Sequence, residues 1–367
     1  MLWAVVFIIF TPLHTALQNV MPTLIKPTIL KPGDTVATIS LSWGGAGELL
    51  HRYEVGKQQL EKVFGLRVIE TAHALKPAAF IANNPKARAD DLMEAFLNTS
   101  VKAIISNIGG DDSIRILPFI DVDVIKQNPK IFLGFSDSTI IHFACYKAGL
   151  TSFYGTSLLT GFAENGGMQP YQINDIKQTL FTAQPAGQVL PNSNGWTSEH
   201  LDWFNLQLQN TKRKLTKSNG WTWLQGSTKV QGRLIGGCVE VLEFLKGTEW
   251  WPSPTEWEDK ILFLEPSEEM MLPANLRWVL RNYAAQGVFE KIKGLIFGRP
   301  YHNKYADEYN NILLQVIRDE QGHNQMPIIT EMDFGHTDPI FTLPYGVMAE
   351  IDCEQQTFSI LESGVAE

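Results

Sequence analysis

Short apolar runs alternate with amphipathic stretches along most of the chain. In the first half, the apolar runs predict strands at residues 35–39, 66–70, 103–106 and 130–133. Between them, apolar positions spaced for one helical face predict helices at 48–64 and 86–97. Strands that alternate with helices favour a mainly parallel sheet with helices on both faces.

The second half repeats this alternation with more mixed strands. Strands are predicted at 230–235, 260–264, 292–297 and 327–330, helices at 238–246, 274–286 and 310–319, a turn at Gly236-Gly237, and a closing hairpin at 347–351 and 357–361. The predicted fold class is α/β, with an N-terminal, Rossmann-like parallel-sheet domain and a second, smaller C-terminal α/β domain. We place a lead-in at 1–24, the N-terminal domain at 25–185, a linker at 186–227 and the C-terminal domain at 228–367.

The linker is rich in Pro, Asn, Ser, Gly and Trp, and it is longer than an ordinary connection. Its tryptophans are Trp196, Trp203, Trp221 and Trp223. They either form a flat platform for a ring-bearing ligand or cover the domain junction. For any single tryptophan we favour the second role.

The lead-in contains an apolar stretch at residues 2–10 that is too short to span a bilayer as a helix. It resembles a signal-peptide core, but no Lys or Arg precedes it. Translation from Met21 is the alternative that we favour. We therefore expect a cytoplasmic protein without a membrane association, and the signal-peptide interpretation stays open.

The composition argues against several classes of function. The chain has 367 residues and a net charge of −9, and its one basic cluster is Lys212-Arg213-Lys214, which we interpret as a solvated loop. Binding to a nucleic-acid polymer is therefore not expected. Cys145, Cys238 and Cys353 lie far apart in apolar segments and are predicted to be buried small hydrophobes.

No spacing of His, Cys or acidic residues in the sequence matches a metal motif, and the loop at 44–47 lacks the G-x-G-x-x-G spacing of dinucleotide sites. We expect neither a metal nor a cofactor.

The segment Gly134-Phe135-Ser136-Asp137-Ser138-Thr139 follows an apolar strand and opens a helical pattern that runs to about Lys147. A serine at such a junction is raised above the sheet beside the free N–H groups of a helix, where a nucleophile would lie. Ser is also a favoured N-cap residue. From these residues alone the two roles are about equally supported.

A serine nucleophile needs a base, usually a histidine that a carboxylate holds in one tautomer. His336 lies in a glycine-containing loop after an apolar strand and is the preferred base, with His302 as the best rival. His142 is six residues after Ser136 and falls on the far side of the same helix.

For the acid, Glu265 ends an apolar strand and is followed by Pro266. A carboxylate there is held by its backbone and can be partly buried. Glu240 and Glu243 are plausible by type but are expected at a solvated or domain-facing edge. Asp333 is close to His336 in sequence, within a loop of unknown geometry.

The chain resembles a family of serine peptidases that includes the LD-carboxypeptidases and the MccF-like microcin C self-immunity peptidases. The motifs that carry the resemblance occur in the family's order from about residue 27 to residue 360. They are Ile108-Gly109-Gly110, Gly134-Phe135-Ser136-Asp137-Ser138-Thr139, Phe153-Tyr154-Gly155, Leu234-Ile235-Gly236-Gly237, Leu262-Phe263-Leu264-Glu265, Gly294-Leu295-Ile296-Phe297-Gly298-Arg299 and Asp333-Phe334-Gly335-His336.

The resemblance implies a catalytic triad in which Ser136 is the nucleophile, His336 the general base and Glu265 the orienting acid. The serine would then lie in the N-terminal domain and the other two residues in the C-terminal domain. It also implies that catalysis depends on how the two domains dock.

The resemblance further implies an oxyanion hole formed by the backbone N–H groups of Gly110 and Asp137. Gly109 would shape this loop. We expect Gly109 and Trp203 to contact the substrate, and the family suggests a homodimer.

Two departures bear on the branch of the family. Pro266 stands where LD-carboxypeptidases often carry another acid, and the Trp-rich linker makes the separation from Ser136 to Glu265 longer than in short murein-recycling enzymes. The length and the Gly-Gly-Asp-Asp loop look more like the microcin-immunity branch, in which linker aromatics stack on a nucleobase.

The leading hypothesis is a hydrolase that acts on a small peptide or an aminoacyl-nucleotide through an acyl-enzyme. One alternative is an L,D-carboxypeptidase that releases the terminal D-Ala from a murein tetrapeptide. The other is a non-catalytic module that keeps the cleft as a ligand trap.

Overall fold

A computed structural model describes residues 24–367. The interpretations of residues 1–20 and of the start at Met21 lie outside the described residues. Within the described part the α/β class is confirmed, with two sheets flanked by helices. No helix among residues 24–367 is both long and apolar enough to cross a membrane.

The strands are numbered along the chain. They are β1 Thr35–Ile39, β2 Arg67–Glu70, β3 Val101–Ser106, β4 Ile131–Gly134, β5 Phe153–Tyr154, β6 Gly187–Val189, β7 Thr222–Gln225, β8 Lys229–Cys238, β9 Lys260–Glu265, β10 Gly294–Gly298, β11 Ile328–Met332, β12 Leu343–Pro344, β13 Met348–Asp352 and β14 Thr357–Ile360.

The N-terminal sheet has the order β12-β5-β4-β3-β1-β2, and strands β1 to β5 run parallel. Strand β12 pairs antiparallel with β5, although it comes from the C-terminal part of the chain. The C-terminal sheet has the order β6-β14-β13-β8-β9-β10-β11-β7, with a parallel centre, β8 to β11, and antiparallel flanks.

The helices lie between these strands. They are α1 Gly45–Glu48, α2 Leu50–Phe64, α3 Ala78–Asn83, α4 Pro85–Leu97, α5 Val122–Gln127, α6 Thr139–Lys147, α7 Pro170–Leu180, α8 Val239–Leu245, α9 Pro273–Ala285 and α10 Ala306–Leu313. The predicted helix at 48–64 is thus two helices that meet at Leu49, and α10 continues into a π-helical segment, Leu314–Glu320.

The turn predicted at Gly236-Gly237 is wrong, because both glycines lie inside β8. A Cβ at Gly236 would stand 1.7 Å from the carbonyl oxygen of Phe263 on β9, and one at Gly237 would stand 2.5 Å from Cγ2 of Thr139 on α6. These glycines therefore allow a close approach between β8 and its neighbours rather than a reversal of the chain.

The predicted linker contributes more structure than expected. It supplies β6 and β7, which form the two edges of the C-terminal sheet. Both strands are short and only partly buried, so their sequences lack an apolar run. Both ends of the linker segment are thus strands of the C-terminal sheet. The domain boundaries at 185 and 227 stay predictions.

Asp333 attaches the linker to the C-terminal sheet. Its Oδ2 accepts the backbone N–H of Asn192 at 3.0 Å and the indole N–H of Trp221 at 2.8 Å. Its Oδ1 lies 3.3 Å from the guanidinium of Arg299, which in turn lies against the ring of Trp196. Trp196 and Trp221 therefore pack the linker against the C-terminal sheet, and their role at the domain junction stays a prediction.

The cysteines are free, and two of the three match the prediction. Cys145 and Cys238 are buried, whereas Cys353 is only half-buried. Cys353 directly follows β13 and opens the turn of the closing hairpin, where the next three residues face solvent.

The strand order places a crevice between β1 and β3. These strands are neighbours, yet the chain leaves β1 toward β2 on one side and β3 toward β4 on the other, which makes this a topological switch point. The amide of Asn107 after β3 donates to the Ser40 hydroxyl after β1 at 3.0 Å and ties the two loops together. Ligands bind at this edge in open α/β sheets.

We predict that Asp333→Ala lowers the free energy of unfolding by about 3 kcal/mol, because it leaves Arg299 as a buried charge and frees two linker donors. Denaturant unfolding followed by Trp fluorescence measures the change. Asp319→Ala is the control, since Asp319 pairs with Arg318 at an exposed site and should change stability by less than about 1 kcal/mol. Equal effects of the two variants would contradict the role of Asp333.

Candidate active site

Ser136 lies on a strained turn directly after β4. It has a φ of +60°, which non-glycine residues rarely adopt. Its N–H donates to the Tyr154 hydroxyl at 3.1 Å, and its carbonyl accepts from the Thr139 hydroxyl at 2.7 Å. The Ser136 hydroxyl caps no helix, since Phe135 occupies the N-cap position of the 3₁₀ turn. The N-cap interpretation is therefore wrong.

The structure brings Ser136, His336 and Glu265 together from both sheets. Nε2 of His336 lies 3.0 Å from the Ser136 Oγ, and Nδ1 lies 2.7 Å from Oε2 of Glu265. The Glu265 side chain is fully buried and that of His336 is 8% exposed. A carboxylate at Nδ1 keeps the proton there and leaves Nε2 able to accept the hydroxyl proton.

Two glycines make room for the buried carboxylate of Glu265. A Cβ at Gly335 would stand 2.6 Å from Oε2 of Glu265, and one at Gly298 would stand 2.7 Å from its Cβ. Glu265 itself is the last residue of β9, so Pro266 ends the strand without turning the carboxylate away from His336.

Tyr154 is a contact that the sequence reasoning missed. Its hydroxyl donates to Oε1 of Glu265 at 2.5 Å and accepts the Ser136 N–H. Burial raises the pKa of Tyr154 well above its usual range, and the Glu265 charge adds to this, so the hydroxyl stays protonated and can donate. The sequence could have pointed to this contact, because Tyr154 ends β5, the strand beside β4, and the Ser136 turn follows β4.

The pKa of His336 follows from opposing effects. Burial lowers it, but Glu265 and then Glu268 outweigh burial and raise the pKa well above its usual range. Glu268 also lies 3.0 Å from Nε2 of His336. The ring is thus held between two carboxylates.

The other candidate histidines and acids do not reach this ring. Burial lowers the pKa of His142 to about 3, and its ring nitrogens contact the Ser152 hydroxyl and the Gly134 carbonyl. His302 is hydrogen bonded to the Ser198 hydroxyl at 2.9 Å.

Among the alternative acids, Glu240 accepts from the Ser267 hydroxyl at 2.9 Å and Glu243 pairs with Lys246. Glu240 is partly buried, and burial raises the pKa of its carboxyl. Asp333 holds the linker.

Ser136 and His336 face a cavity of about 530 Å³, within the usual range for small-molecule sites. Residues from both sheets and from the linker line it, among them Gly109, Gly110, Ser136, Trp203 and His336. The walls of the cavity therefore come from distant parts of the chain.

The loop after β3 is shaped by its glycines. A Cβ at Gly109 would stand 2.9 Å from the Ser136 Cβ, and Gly110 has a φ of +140°. The Gly109 carbonyl accepts the Trp43 N–H at 3.1 Å. Because a trans peptide directs its C=O and N–H in opposite directions, the Gly110 N–H is directed away from Trp43.

Asp137, the residue after Ser136, fixes the loop after β3 with its side chain. Its buried Oδ2 accepts the N–H groups of Asp112 at 3.0 Å and Ser113 at 2.8 Å. Burial raises the pKa of the Asp137 carboxyl, against these hydrogen bonds. The sequence reasoning used only its backbone N–H and missed this role.

Trp203 lies in the cavity with its position fixed from one side. The Arg52 guanidinium lies 4.2 Å from the centre of its ring, and Nε2 of His51 donates to its carbonyl at 2.9 Å. Arg52 is held by the carbonyl of Leu159 and by Asn165. No sequence motif indicated these supports, which come from α2.

The solvated interpretation of Lys212-Arg213-Lys214 is wrong for Arg213. Its side chain is only 14% exposed, and its guanidinium pairs with Glu164 and, at 2.7 Å, with Asp338. Arg213 lines the cavity and joins the linker to both domains. Within residues 24–367, no group of three or more His, Cys, Asp or Glu side chains is arranged to hold a metal ion.

Residues 36–155 match the LD-carboxypeptidase N-terminal domain, and residues 231–351 match the LD-carboxypeptidase C-terminal domain. The chain belongs to the LD-carboxypeptidase family. This is a family of peptidases.

Two relatives with different names cover nearly the whole chain. The microcin C7 self-immunity protein MccF of Escherichia coli is 30% identical, with 93% of this chain and 96% of the relative covered. A probable murein peptide carboxypeptidase of Bacillus subtilis is 27% identical, with 93% and 96% covered.

Solved structures agree with the family assignment. An MccF-like protein from Streptococcus pneumoniae in complex with AMP has a TM-score of 0.82 at 33% identity, with 89% of this chain and 98% of that chain covered. MccF in complex with aspartyl sulfamoyl adenosine has a TM-score of 0.79 at 28% identity, with 93% and 100% covered.

We predict that Tyr154→Phe lowers the free energy of unfolding by about 2 kcal/mol, because the buried carboxylate of Glu265 loses a donor. Urea unfolding measures the change. Tyr283→Phe is the matched control, since the buried Tyr283 hydroxyl has no hydrogen-bond partner in the described structure and its removal should be neutral. A neutral Tyr154→Phe would contradict the bridge.

Proposed function

We propose that this LD-carboxypeptidase family member is a serine-type hydrolase with Ser136 as nucleophile, His336 as general base and Glu265 as orienting acid. The observation that carries the proposal is the chain of contacts from the Ser136 Oγ through the His336 ring to Glu265, at 3.0 Å and 2.7 Å, inside the cavity.

The reaction begins when the Ser136 Oγ attacks the carbonyl carbon of an amide and its proton passes to Nε2 of His336. The oxyanion accepts the N–H groups of Gly110 and Asp137. Collapse of this intermediate breaks the C–N bond, and the same proton passes to the leaving nitrogen. A water molecule then attacks the acyl-enzyme by the same route and releases the acid.

We propose an aminoacyl-nucleotide as substrate, as in microcin C-type detoxification. Two observations support this choice. Trp203 presents an aromatic ring in the cavity, and ring faces stack on nucleobases. The neighbouring MccF and MccF-like structures carry aspartyl sulfamoyl adenosine and AMP.

An alternative within the family is the release of the terminal D-Ala from a murein tetrapeptide, which the name of the Bacillus subtilis relative supports. This reaction uses the same triad but places no nucleobase on Trp203. The alternative from another class is a non-catalytic module that binds ligand in the same cavity.

Location and assembly are further proposals. A cytoplasmic location is consistent with three free cysteines and no disulfide among them. We propose a homodimer from the family resemblance. One chain supplies Ser136, His336 and Glu265, so the triad itself needs no second copy.

We predict that Ser136→Ala reduces turnover of alanyl sulfamoyl adenosine on the order of 10⁶-fold, because the nucleophile is lost. Product release followed by chromatography measures turnover, and circular dichroism checks the fold. Ser138→Ala is the control, since Ser138 is a buried serine of the same turn outside the triad. Unchanged turnover in Ser136→Ala would show that Ser136 is not the nucleophile. If the unmodified protein binds the substrate without turnover, the non-catalytic ligand trap is favoured.

We predict that Trp203→Ala raises KM about 10- to 100-fold for alanyl sulfamoyl adenosine but not for a murein tetrapeptide, because only the first substrate has a base to stack. Steady-state kinetics on both substrates gives the answer. Trp278→Ala is the control, because Trp278 is 65% exposed and lies on α9 outside the cavity lining. Activity on the murein tetrapeptide alone would favour the carboxypeptidase alternative.

A further inference from the structure

A second carboxylate stands beside the proposed general base, on the side that faces the cavity. Oε2 of Glu268 lies 3.0 Å from Nε2 of His336, the same nitrogen that lies 3.0 Å from the Ser136 Oγ. Two contacts of 3.0 Å place this carboxylate within about 6 Å of the nucleophile. The Glu268 side chain is 56% exposed and lines the cavity, so a group of the substrate can reach it.

Glu268 and Ser136 make opposite demands on Nε2. A carboxylate only accepts, so contact with Glu268 requires a proton on Nε2, whereas the attack by Ser136 requires Nε2 without one. With Glu268 in place, both ring nitrogens of His336 face carboxylates and the ring is held as an imidazolium. The base becomes competent only when Glu268 leaves Nε2.

Among the residues that the structure describes, neither arginine of the cavity lining pairs with Glu268. Of the two arginines in the lining, Arg213 pairs with Asp338, and Arg52 donates to the Leu159 carbonyl while its guanidinium lies against the Trp203 ring. Each guanidinium is already engaged. The cavity therefore leaves room for a substrate cation to pair with the Glu268 carboxylate.

We propose that Glu268 binds the free α-ammonium group of the residue that supplies the scissile carbonyl. The enzyme would thus select an aminoacyl group with an unmodified amino terminus over the same group inside a peptide. This inference rests on the proposed function, since it takes Ser136 as the point of attack.

The distances in the site fit an α-ammonium group. A carbonyl carbon ready for attack lies about 3 Å from the nucleophilic oxygen. The α-nitrogen is about 2.5 Å from that carbon by covalent geometry. It therefore falls in the same shell of about 6 Å around Oγ as the Glu268 carboxylate. The ammonium of a lysine side chain extends several bonds farther from the carbonyl and fits less well.

Binding and activation are coupled in this arrangement. An arriving ammonium group pairs with Glu268 and draws it away from Nε2, and the imidazolium loses one of its two carboxylates. The pKa of His336 then falls, so the ring gives up its Nε2 proton to solvent more readily and can act as base. An acylated amine carries no charge and leaves Glu268 on His336.

The first test measures binding in the Ser136→Ala background, where substrate is not consumed. Calorimetry gives the Kd of alanyl sulfamoyl adenosine and of its N-acetyl form. We expect tighter binding of the free amine, and we expect Glu268→Gln to reduce this preference about 10-fold, as for a partly exposed charged contact. Glu269→Gln is the matched control, because Glu269 is an exposed neighbour outside the cavity lining.

The second test uses the pH profile of kcat/KM for the enzyme with Ser136 intact. Activity requires a neutral His336, so it rises with pH through the His336 pKa. The titratable groups that contact the ring are Glu265, Glu268 and the Ser136 hydroxyl, while Asp333 on the same loop is bonded to linker groups. Removing the Glu268 charge lowers the His336 pKa, so Glu268→Gln should move the acidic limb to lower pH. A merely structural role would leave the limb in place.

The outcomes separate this inference from the proposed function. A reduced preference and a shifted limb in Glu268→Gln, both absent in Glu269→Gln, support it. No preference for the free amine, or a preference that survives Glu268→Gln, overturns it, and the hydrolase proposal then stands on the turnover of the unmodified enzyme. If that enzyme neither binds nor hydrolyses either compound, this inference and the aminoacyl-nucleotide substrate are both overturned, and turnover of the murein tetrapeptide then decides whether the protein is a hydrolase.

Discussion

The rest of the site depends on the carboxylate of Glu265, which is fully buried where the two sheets meet. Burying a carboxylate is costly unless hydrogen bonds and a cation compensate. Tyr154 from the N-terminal sheet donates to one oxygen, and His336 from the C-terminal sheet faces the other. Since Tyr154 also accepts the N–H of Ser136, one hydrogen-bonded chain runs from the strained turn of the serine to its base. The arrangement of Ser136, Glu265 and His336 therefore depends on how the two sheets dock.

The two sheets approach closely at Thr139, whose hydroxyl makes a contact to each side. Thr139, at the start of α6, accepts the N–H of Cys238 on β8 at 3.2 Å and donates to the carbonyl of Ser136, so the serine turn is fastened to the opposite sheet. A side chain at Gly237 would prevent this contact. Strand β12 adds a second fastening, because a segment that follows the His336 loop pairs with β5 beside Tyr154. A change at these positions would act on the triad without touching substrate.

The sequence predicted the central strands of both sheets well, because strands buried on both faces are continuous apolar runs whose ends are marked by Gly and Pro. Ser136, Glu265 and His336 could be selected because they stand at the ends of such runs. The edges were harder: β6 and β7 are short and partly exposed, and Gly236-Gly237 has the composition of a turn. What decides their structure is the neighbour across the sheet, which a single sequence does not display. Tyr154 and Arg52 were missed for the same reason, since their partners are distant in the chain.

The site also shows why a triad motif alone leaves the substrate open. His336 lies between a buried carboxylate, Glu265, and an exposed one, Glu268. The first is held by Tyr154, whereas the second has no partner besides the ring among the contacts described for its side chain. In the mechanism that we propose, the buried charge orients the base, and the exposed charge makes the protonation of the base depend on what enters the cavity. In the arrangement that we propose, selectivity arises from the charge that the substrate brings to Glu268, a residue outside the Ser136, His336 and Glu265 set.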